Sequence, residues 1–391
     1  MNSIKKINAK NVVLPHSQAK LDLYDKYLEH YLTVLSLASF CKKINLYDIF
    51  CGIGLYEDGN VGSPIIAANR IKSNNSFLNS LSRPLKPISL TINDNQLDKI
   101  QSVKKLLEEI KVDNCEYNYH NEDDNDMLDI VIKTVDSTIY SDRNLIFIDP
   151  YGYSFVNKDK LTKLLKNDNT EIVLFLPVMQ MYRFTSIALS DYERSCYQHL
   201  RNFIESFFPK DHLIHTDKIT SIFEYINEIK KALSFGKYYT CSHYIERETG
   251  NYYALFYVSP HIYGLDKMIE AKWSADPISG RGFKKEKSTI QTSMFDTQFK
   301  EYDKRKELDY LKNRLLIELR ENKELNNNDI YEITLLNEFK PSHANIVLKE
   351  LLKNRTIKGF DKFNLDTQGE TGFGISYKNY KDKAVKVKFS I

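Results

Sequence analysis

The spacing of apolar residues predicts alternating helices and strands over the first half of the chain. Between residues 18 and 37 apolar positions recur every three or four residues, which predicts an amphipathic helix. Residues 44–49 form a short apolar stretch that ends in a glycine-bearing turn, as a buried strand does. Further strands are predicted at residues 88–92, 116–119, 145–148 and 172–176. Helices are predicted after Ser63-Pro64 and at residues 97–110 and 126–135. Because such apolar strands alternate with helices, we expect a parallel α/β sheet of the doubly wound, Rossmann-like class.

The second half of the chain changes its pattern twice. Two apolar stretches at 238–245 and 252–258 flank a turn-forming segment, which predicts an antiparallel hairpin like the edge of a methyltransferase sheet. Polar residues then dominate up to about residue 298 and predict a linker. We therefore divide the chain into an α/β domain at 1–276, a linker or loop at 277–303 and a C-terminal domain at 304–391.

The C-terminal domain is predicted to be a winged helix. Its pattern gives helices at residues 308–319, 328–338 and 342–353, then strands at 357–360 and 374–389. A winged helix often places its third helix in a DNA groove. The candidate nucleic-acid contacts there are Lys349, Lys353 and Arg355. The same fold also serves for dimerisation or protein docking, and these three residues do not decide between the two uses.

Composition excludes several classes of protein. The 391 residues are 42% apolar, yet no run approaches the roughly 20 apolar residues of a membrane span. The basic start lacks a following apolar segment, so no secretory signal and a cytoplasmic location are expected. The five cysteines are scattered without a Cys-x-x-Cys pair, which indicates buried thiols and neither a disulfide framework nor a metal site.

The net charge of +3 is too small to indicate a nucleic-acid partner by itself. Its distribution is uneven. Residues 305–391 hold 17 basic and 13 acidic side chains, a net of +4, which leaves about −1 for the rest of the chain. The C-terminal region is therefore mildly basic.

The first candidate site is the turn after the first predicted strand, with Asp48, Phe50, Gly52 and Gly54. Glycines there let the backbone bend and approach a ligand, and the following helix start favours negative groups. A dinucleotide fingerprint needs a third glycine that this turn lacks, so S-adenosylmethionine is the expected cofactor. Asp94, at the end of the second strand, is placed to accept a ribose diol. Alternatively, Asp94 caps the next helix.

The second candidate site follows the most apolar strand. Asp149 and the Pro150 carbonyl could accept hydrogen bonds from an exocyclic amine, and Tyr151 or Tyr153 could stack on its base. Alternatively, proline and glycine make this segment a simple turn. Asn121 and Glu122, after the third strand, are the candidates for binding the adenine of the cofactor.

These segments resemble the three-Cys-motif partner family, TcmP. The matching pieces occur in order at residues 15–20 with 27–28, 48–54 with 56–59 and 62–64, 147–153, and 264–273. They cover about 260 residues, from His16 to Trp273. The resemblance implies a class I methyltransferase fold, a small partner protein with a three-cysteine motif, and a bacterial mobile-element or defence context.

The resemblance also bears on the second candidate site. The sequence Asp149-Pro150-Tyr151-Gly152 departs from the Asp-Pro-Pro-Tyr of adenine-N6 and cytosine-N4 DNA methyltransferases. It is closer to the Asp-Pro-Phe-Gly of tRNA guanine-N2 dimethyltransferases, which leaves the acceptor atom open. In this superfamily an N-terminal segment often reaches the cofactor carboxylate, so His16 and Lys20 are candidates for that contact; Lys20 could equally be solvated.

Two functions remain as hypotheses. The first is an S-adenosylmethionine-dependent methyltransferase acting on an exocyclic amine of a nucleic-acid base. The second is a binding subunit that keeps the methyltransferase fold and holds nucleic acid or a partner without catalysis. A nuclease is disfavoured, because the acidic run at 122–126 is more typical of a solvated loop than of a metal site.

Overall fold

The computed structural model describes residues 13–150, 152, 156–216, 218–248, 250–283, 294–361 and 372–391. The chain forms two compact units. Described residues up to Gly264, together with Phe283, make the first unit, and Leu265–Gly282 with residues 294 onward make the second. The predicted boundary at residue 276 falls inside the second unit.

The first unit alternates strands and helices from its start. Its strands are β1 (Lys43–Asp48), β2 (Ile88–Asn93), β3 (Cys115–His120), β4 (Asp142–Ile148), β5 (Thr170–Leu176), β6 (Tyr239–Glu248) and β7 (Asn251–Ser259). Its helices are α1 (Pro15–Leu37), α2 (Ser63–Ser80), α3 (Leu97–Ile110), α4 (Asp124–Asp136), α5 (Lys158–Leu165), α6 (Val178–Ser190), α7 (Gln198–Phe207) and α8 (Ile222–Leu233). Two 3-10 turns lie at Ser195–Tyr197 and Leu213–His215.

The strands of this unit form one sheet in the order β3-β2-β1-β4-β5-β7-β6. Strands β1 to β5 pair in parallel, whereas β7 runs antiparallel to both β5 and β6. A mostly parallel sheet of this order, with helices between its strands, is a doubly wound α/β fold, so the predicted Rossmann-like fold is confirmed. The strand order reverses between β1 and β4, and ligands of such sheets bind beside that point, at the carboxyl ends of the strands.

Helices cover both faces of the sheet. Ile146 and Ile148 of β4 belong to a buried apolar cluster with α4, α5, α6, α7 and α8. Between them Phe147 points to the opposite face, because side chains alternate along a strand. There it stacks on Tyr24 of α1, with ring centroids 4.2 Å apart. Strands β1, β2, β4 and β5 are buried from both sides, which explains their largely apolar sequences.

The second unit contains five helices and a small sheet among its described residues. Its helices are α9 (Ile262–Ala275), which starts at the division between the units, α10 (Met294–Asn322), α11 (Asn327–Leu336), α12 (Pro341–Lys353) and α13 (Tyr377–Lys381). The two-residue strand β8 (Gly282–Phe283) lies across the division between the units, and the strands of the second unit are β9 (Glu324–Asn326), β10 (Lys358–Asp361) and β11 (Val387–Ser390). Strands β10, β11 and β9 pair in that order, antiparallel. The winged-helix assignment stays a prediction.

Trp273 anchors α9 in this unit. Its indole lies edge-on to His343, with ring centroids 4.2 Å apart, and its Nε1–H donates to the Glu338 carbonyl at 2.8 Å. The neighbouring Lys272 is buried and pairs with the Glu338 carboxylate. The C-terminal part of α9 is therefore part of the core of the second unit.

Three expectations from the sequence are wrong in detail. Helix α10 begins at Met294, so residues 294–303 of the predicted linker are helical. Of the predicted strand at 374–389, only the part from Val387 onward is a strand, because the Ser376 hydroxyl accepts the Asn379 N–H and starts the helical turn α13. Of the five thiols expected to be buried, Cys196 is exposed and Cys115 is half-buried. Within the described ranges, no helix has both the length and the apolar character needed to cross a membrane.

Candidate functional site

The turn after β1 is tight and partly open. Gly52 and Gly54 have φ angles of +65° and +75°, which side-chain-bearing residues rarely adopt. A Cβ at Gly54 would lie 2.9 Å from Val103 of α3, whereas a Cβ at Gly52 would meet nothing within 4 Å. The Gly62 N–H donates to the Gly54 carbonyl at 2.7 Å and leads the chain into α2. Backbone near Gly52 is thus accessible to a ligand.

Asn93 joins three loops at this edge of the sheet. Its fully buried amide nitrogen donates to the carbonyls of Ile49 and Glu122, both at 3.1 Å, and its amide oxygen accepts the Glu122 N–H at 2.9 Å. The Asn93 carbonyl accepts the Cys51 N–H at 2.9 Å. The loops after β1, β2 and β3 are therefore held together by one residue.

Asp94 is engaged within the protein. Its carboxylate accepts the Gly52 N–H at 3.2 Å and the Gln96 N–H at 3.0 Å, and Lys99 donates to both oxygens at 3.1 Å. The Asn121 amide donates to the Asp94 carbonyl at 2.9 Å. Asp94 thus orders the segment before α3 and the glycine turn, whereas the N-cap of α3 is Gln96, without a side-chain cap; the ribose contact of Asp94 stays a prediction.

Asp48, the last residue of β1, is a buried acid. Neither carboxylate oxygen accepts a hydrogen bond of ordinary geometry from the described residues. Burial raises the pKa of Asp48 to about 7, and the charge of Asp149 adds to this; the nearby Ser63 hydroxyl, Phe50 N–H and Lys20 ammonium oppose it. A buried carboxylate with so little hydrogen bonding is complementary to a ligand that brings an N–H group or a positive charge.

Asp149, directly after β4, forms an ion pair with Lys20 of α1. The Lys20 ammonium also lies 4.9 Å from the centroid of the Phe175 ring. The two paired side chains are 20% and 12% exposed, so the contact is at the rim of the protein interior. Lys20 is therefore not simply solvated on its helix.

Three rings continue from this ion pair. Phe175 of β5 and Tyr253 of β7 are parallel within 2°, with centroids 5.2 Å apart. His16 of α1 stacks on Tyr253 at 6.3 Å and 12°. We call Phe175, Tyr253 and His16 the aromatic wall.

The structure brings most of the predicted site residues to one edge of the sheet. Asp48, Phe50, Gly52, Gly54, Asp94, Asn121, Glu122, Asp149 and the buried Pro150 all lie at or just beyond the carboxyl ends of β1 to β4. Tyr151 and Tyr153 lie outside the described residues. Lys349, Lys353 and Arg355 are exposed on α12 and the turn after it, in the second unit.

Sequence analysis missed several residues of this edge. Asn93 could have been found as the polar residue that ends β2 beside Asp94. Phe175 and Tyr253 gave no signal, because an aromatic residue in an apolar strand has the same pattern whether it packs in a core or lines a site.

No family model and no curated protein matches this sequence. Among solved structures, the chain is similar to the O-methyltransferase TomG from Streptomyces achromogenes in complex with SAM, at 15% identity and a TM-score of 0.31, over 60% of this chain and 79% of TomG. It is also similar to Trm1 from Pyrococcus horikoshii with S-adenosyl-L-methionine, at 13% identity and a TM-score of 0.33, over 69% of this chain and 61% of Trm1. With both TM-scores this low, we draw no conclusion about activity from either likeness.

Proposed function

We propose that this protein is an S-adenosylmethionine-dependent methyltransferase whose acceptor is an exocyclic amine of a nucleic-acid base. The observation that carries the proposal is the placement of Asp48 and Asp149. Asp48 ends β1 and Asp149 follows β4, and the strand order reverses between these two strands. That position is where sheets of this topology bind their ligands.

The edge of the sheet fits the proposed cofactor. The carboxylate of Asp48 is buried without hydrogen-bond donors of ordinary geometry, which suits the ammonium of a methionyl group. Gly52 presents open backbone beside it. Asp94 is assigned to the ribose, Asn121 and Glu122 to the adenine, and Phe50 and Gly54 to the shape of the turn. When bound, the cofactor supplies an electrophilic methyl group.

Asp149 is assigned to the acceptor. Its carboxylate would accept an N–H of the base amine and so direct the nitrogen lone pair towards the methyl group. The Pro150 carbonyl would accept the second N–H, and Tyr151 or Tyr153 would stack on the base. A carboxylate can also take the proton that the nitrogen loses on methylation.

The second unit is assigned to nucleic-acid binding as a winged helix. Lys349, Lys353 and Arg355 lie exposed at one end of α12, and residues 305–391 carry a net charge of +4. Positive charge of this kind favours phosphate contacts without base specificity. Membership of the TcmP family, a three-Cys-motif partner protein and a role in bacterial defence belong to the same proposal.

Calorimetry and a methyl-transfer assay test the proposal together. We expect S-adenosylmethionine to bind the wild type and Asp149→Asn with affinities within a few-fold of each other. We expect Asp149→Asn to lower transfer of labelled methyl groups to tRNA or denatured DNA by about 100-fold or more, as loss of a general base does. Asp142→Asn, at the other end of β4, is the matched control and should transfer at the wild-type rate. Absence of cofactor binding to the wild type would defeat the proposal.

One observation favours a second candidate, a non-catalytic binding subunit. Asp149 is already paired with Lys20, so the carboxylate assigned to the acceptor has a partner of its own. This candidate predicts that the wild type binds nucleic acid without methylating it. Methyl transfer that disappears in Asp149→Asn would exclude it.

A further inference from the structure

The contacts of the Lys20 ammonium resemble those that a base amine would make. The ammonium donates to the Asp149 carboxylate and sits over the face of the Phe175 ring. An exocyclic amine held for methylation would likewise donate to a carboxylate. The ring that carries the amine would gain from stacking on an aromatic side chain.

The aromatic wall continues from the position of the Lys20 ammonium towards solvent. Phe175 and Tyr253 belong to neighbouring strands, because β5 pairs with β7, and their rings are nearly parallel. Tyr253 and His16 are both half-buried, so this part of the wall is reachable from solvent. A planar heteroaromatic ring matches such a surface in shape and polarisability.

We propose that Lys20 occupies the acceptor subsite and that the acceptor amine displaces it from Asp149. The inference rests on the proposed function and names its substrate class: a planar heteroaromatic ring bearing an exocyclic amine, placed over the face of Phe175 that the ammonium now covers. Lys20 sets specificity, because a ring that carries neither an amine nor a ring N–H offers Asp149 no donor to replace the ammonium.

Lys20 can leave without moving its helix. Farther along, α1 is fixed by the stack of Tyr24 on Phe147 and by the ion pair of Asp25 with Arg70 of α2. Its last turn is held by the Lys86 ammonium, which donates to the carbonyls of Leu35, Ala38 and Cys41. Rotation of the Lys20 side chain, with its four flexible carbons, is therefore enough to open the subsite.

Nucleosides test this inference without phosphate charge. The probes are adenosine with purine riboside, and cytidine with pyrimidin-2-one riboside, titrated by NMR; the second member of each pair lacks both the amine and a ring N–H. If Lys20 leaves the subsite open about one tenth of the time, Lys20→Met lowers the apparent Kd for adenosine or cytidine about tenfold. Affinity for the two ribosides that lack the amine stays unchanged. Lys42→Met, at an exposed lysine just after α1, is the matched control and leaves all four affinities unchanged.

Lys20→Arg keeps a cation at the subsite and is expected to bind the nucleosides as the wild type does. Equal affinities in the wild type and a folded Lys20→Met would overturn the inference. Weaker binding in Lys20→Met would also overturn it, since Lys20 would then contact the ligand rather than compete with it.

The two proposals fail in different experiments. If methyl transfer occurs but Lys20→Met leaves amine nucleosides unaffected, the subsite is wrong and the proposed function stands. If Lys20→Met selectively tightens amine nucleosides but the wild type binds no S-adenosylmethionine, the subsite stands as a binding site and the methyl transfer is wrong.

Discussion

At the scale of single residues, Asp48 couples the site to pH. Burial without hydrogen-bond donors of ordinary geometry raises its pKa to about 7, well above the value of about 3.9 expected in the unfolded chain. The folded state therefore holds this proton more tightly than the unfolded state does. The resulting stabilisation is complete below about pH 4 and is lost as the pH rises through about 7.

Asp48→Asn should remove this pH dependence. Between pH 5 and pH 8 we expect the wild type to lose about 3 kcal/mol of unfolding free energy relative to Asp48→Asn, from two pH units of differential protonation. Urea denaturation of both proteins at the two pH values measures the difference. If the unfolding free energies of the two proteins change equally between pH 5 and pH 8, the folded state does not disfavour the ionised form of Asp48.

Individual site residues were predictable where the local sequence determines them. Gly52, Gly54 and Asp149 stand at strand ends, where turn chemistry is visible in the sequence. The partner of Asp149 was not predictable, because Lys20 is 129 residues away in the chain and meets it only through the packing of α1. Asp94 was assigned to a ligand, yet its carboxylate also accepts the Gln96 N–H just before α3 and pairs with Lys99.

At the scale of elements, α1 is tied to the sheet through a buried carboxylate. Glu171 of β5 accepts hydrogen bonds from Tyr27 of α1, from Tyr257 of β7 at 2.8 Å and from the Ser259 hydroxyl at 3.1 Å. Burial raises the pKa of Glu171, and these hydroxyls oppose the rise. The packing of α1 against β5 and β7 therefore depends on the hydrogen bonds that the Glu171 carboxylate accepts.

Two tyrosines of α1 allow a matched comparison. Tyr27→Phe removes one donor to Glu171 and should lower the free energy of unfolding by about 1–3 kcal/mol. Tyr31→Phe, one helical turn later, removes a buried hydroxyl that has no hydrogen-bond partner among the described residues, and should be neutral or slightly stabilising. Chemical denaturation distinguishes them; equal losses would mean that the Glu171 network contributes nothing specific.

Most elements of the sheet could be predicted, because buried parallel strands have continuous apolar sequences. Helix α3 was predicted at its observed bounds, Leu97–Ile110. The helices between β5 and β6 were not predicted, and α9 was seen only as a piece of the family resemblance. The three residues of β9 are too few to give a periodic signal.

At the scale of the whole molecule, the proposal divides the work between two units. The second unit would supply phosphate contacts through α12. Replacing Lys353 and Arg355 together by alanine should weaken binding to duplex DNA similarly for every sequence and reduce the slope of log K against log salt by about 2. Fluorescence anisotropy at several salt concentrations measures this.

Lys378→Ala with Lys381→Ala is the matched control, since both lysines are exposed on α13 and the pair removes the same charge from the same unit. The control should leave affinity nearly unchanged. An equal loss from both pairs would indicate general attraction to a basic unit rather than contact through α12.

The division of the chain was harder to predict than its fold. The polar stretch after Trp273 suggested a boundary, but the indole of Trp273 packs within the second unit. The end of an apolar pattern in the sequence shows where a segment becomes exposed to solvent. It does not show which hydrophobic core the preceding helix packs into.

The hydrogen bonds of Asn93 determine how a ligand can come and go. Because the buried amide of Asn93 bonds to the loops after β1 and β3, neither of these loops can swing aside without breaking its bonds to Asn93. The loops after β1 and β3 therefore form a rigid side of the site. The start of α1 is tied to this edge of the sheet by the Lys20 ion pair and a bond from the Val13 N–H to Asp58. We expect the cofactor and the acceptor to exchange on that side, so the rate of product release should depend on the Lys20 side chain and not on the glycine turn.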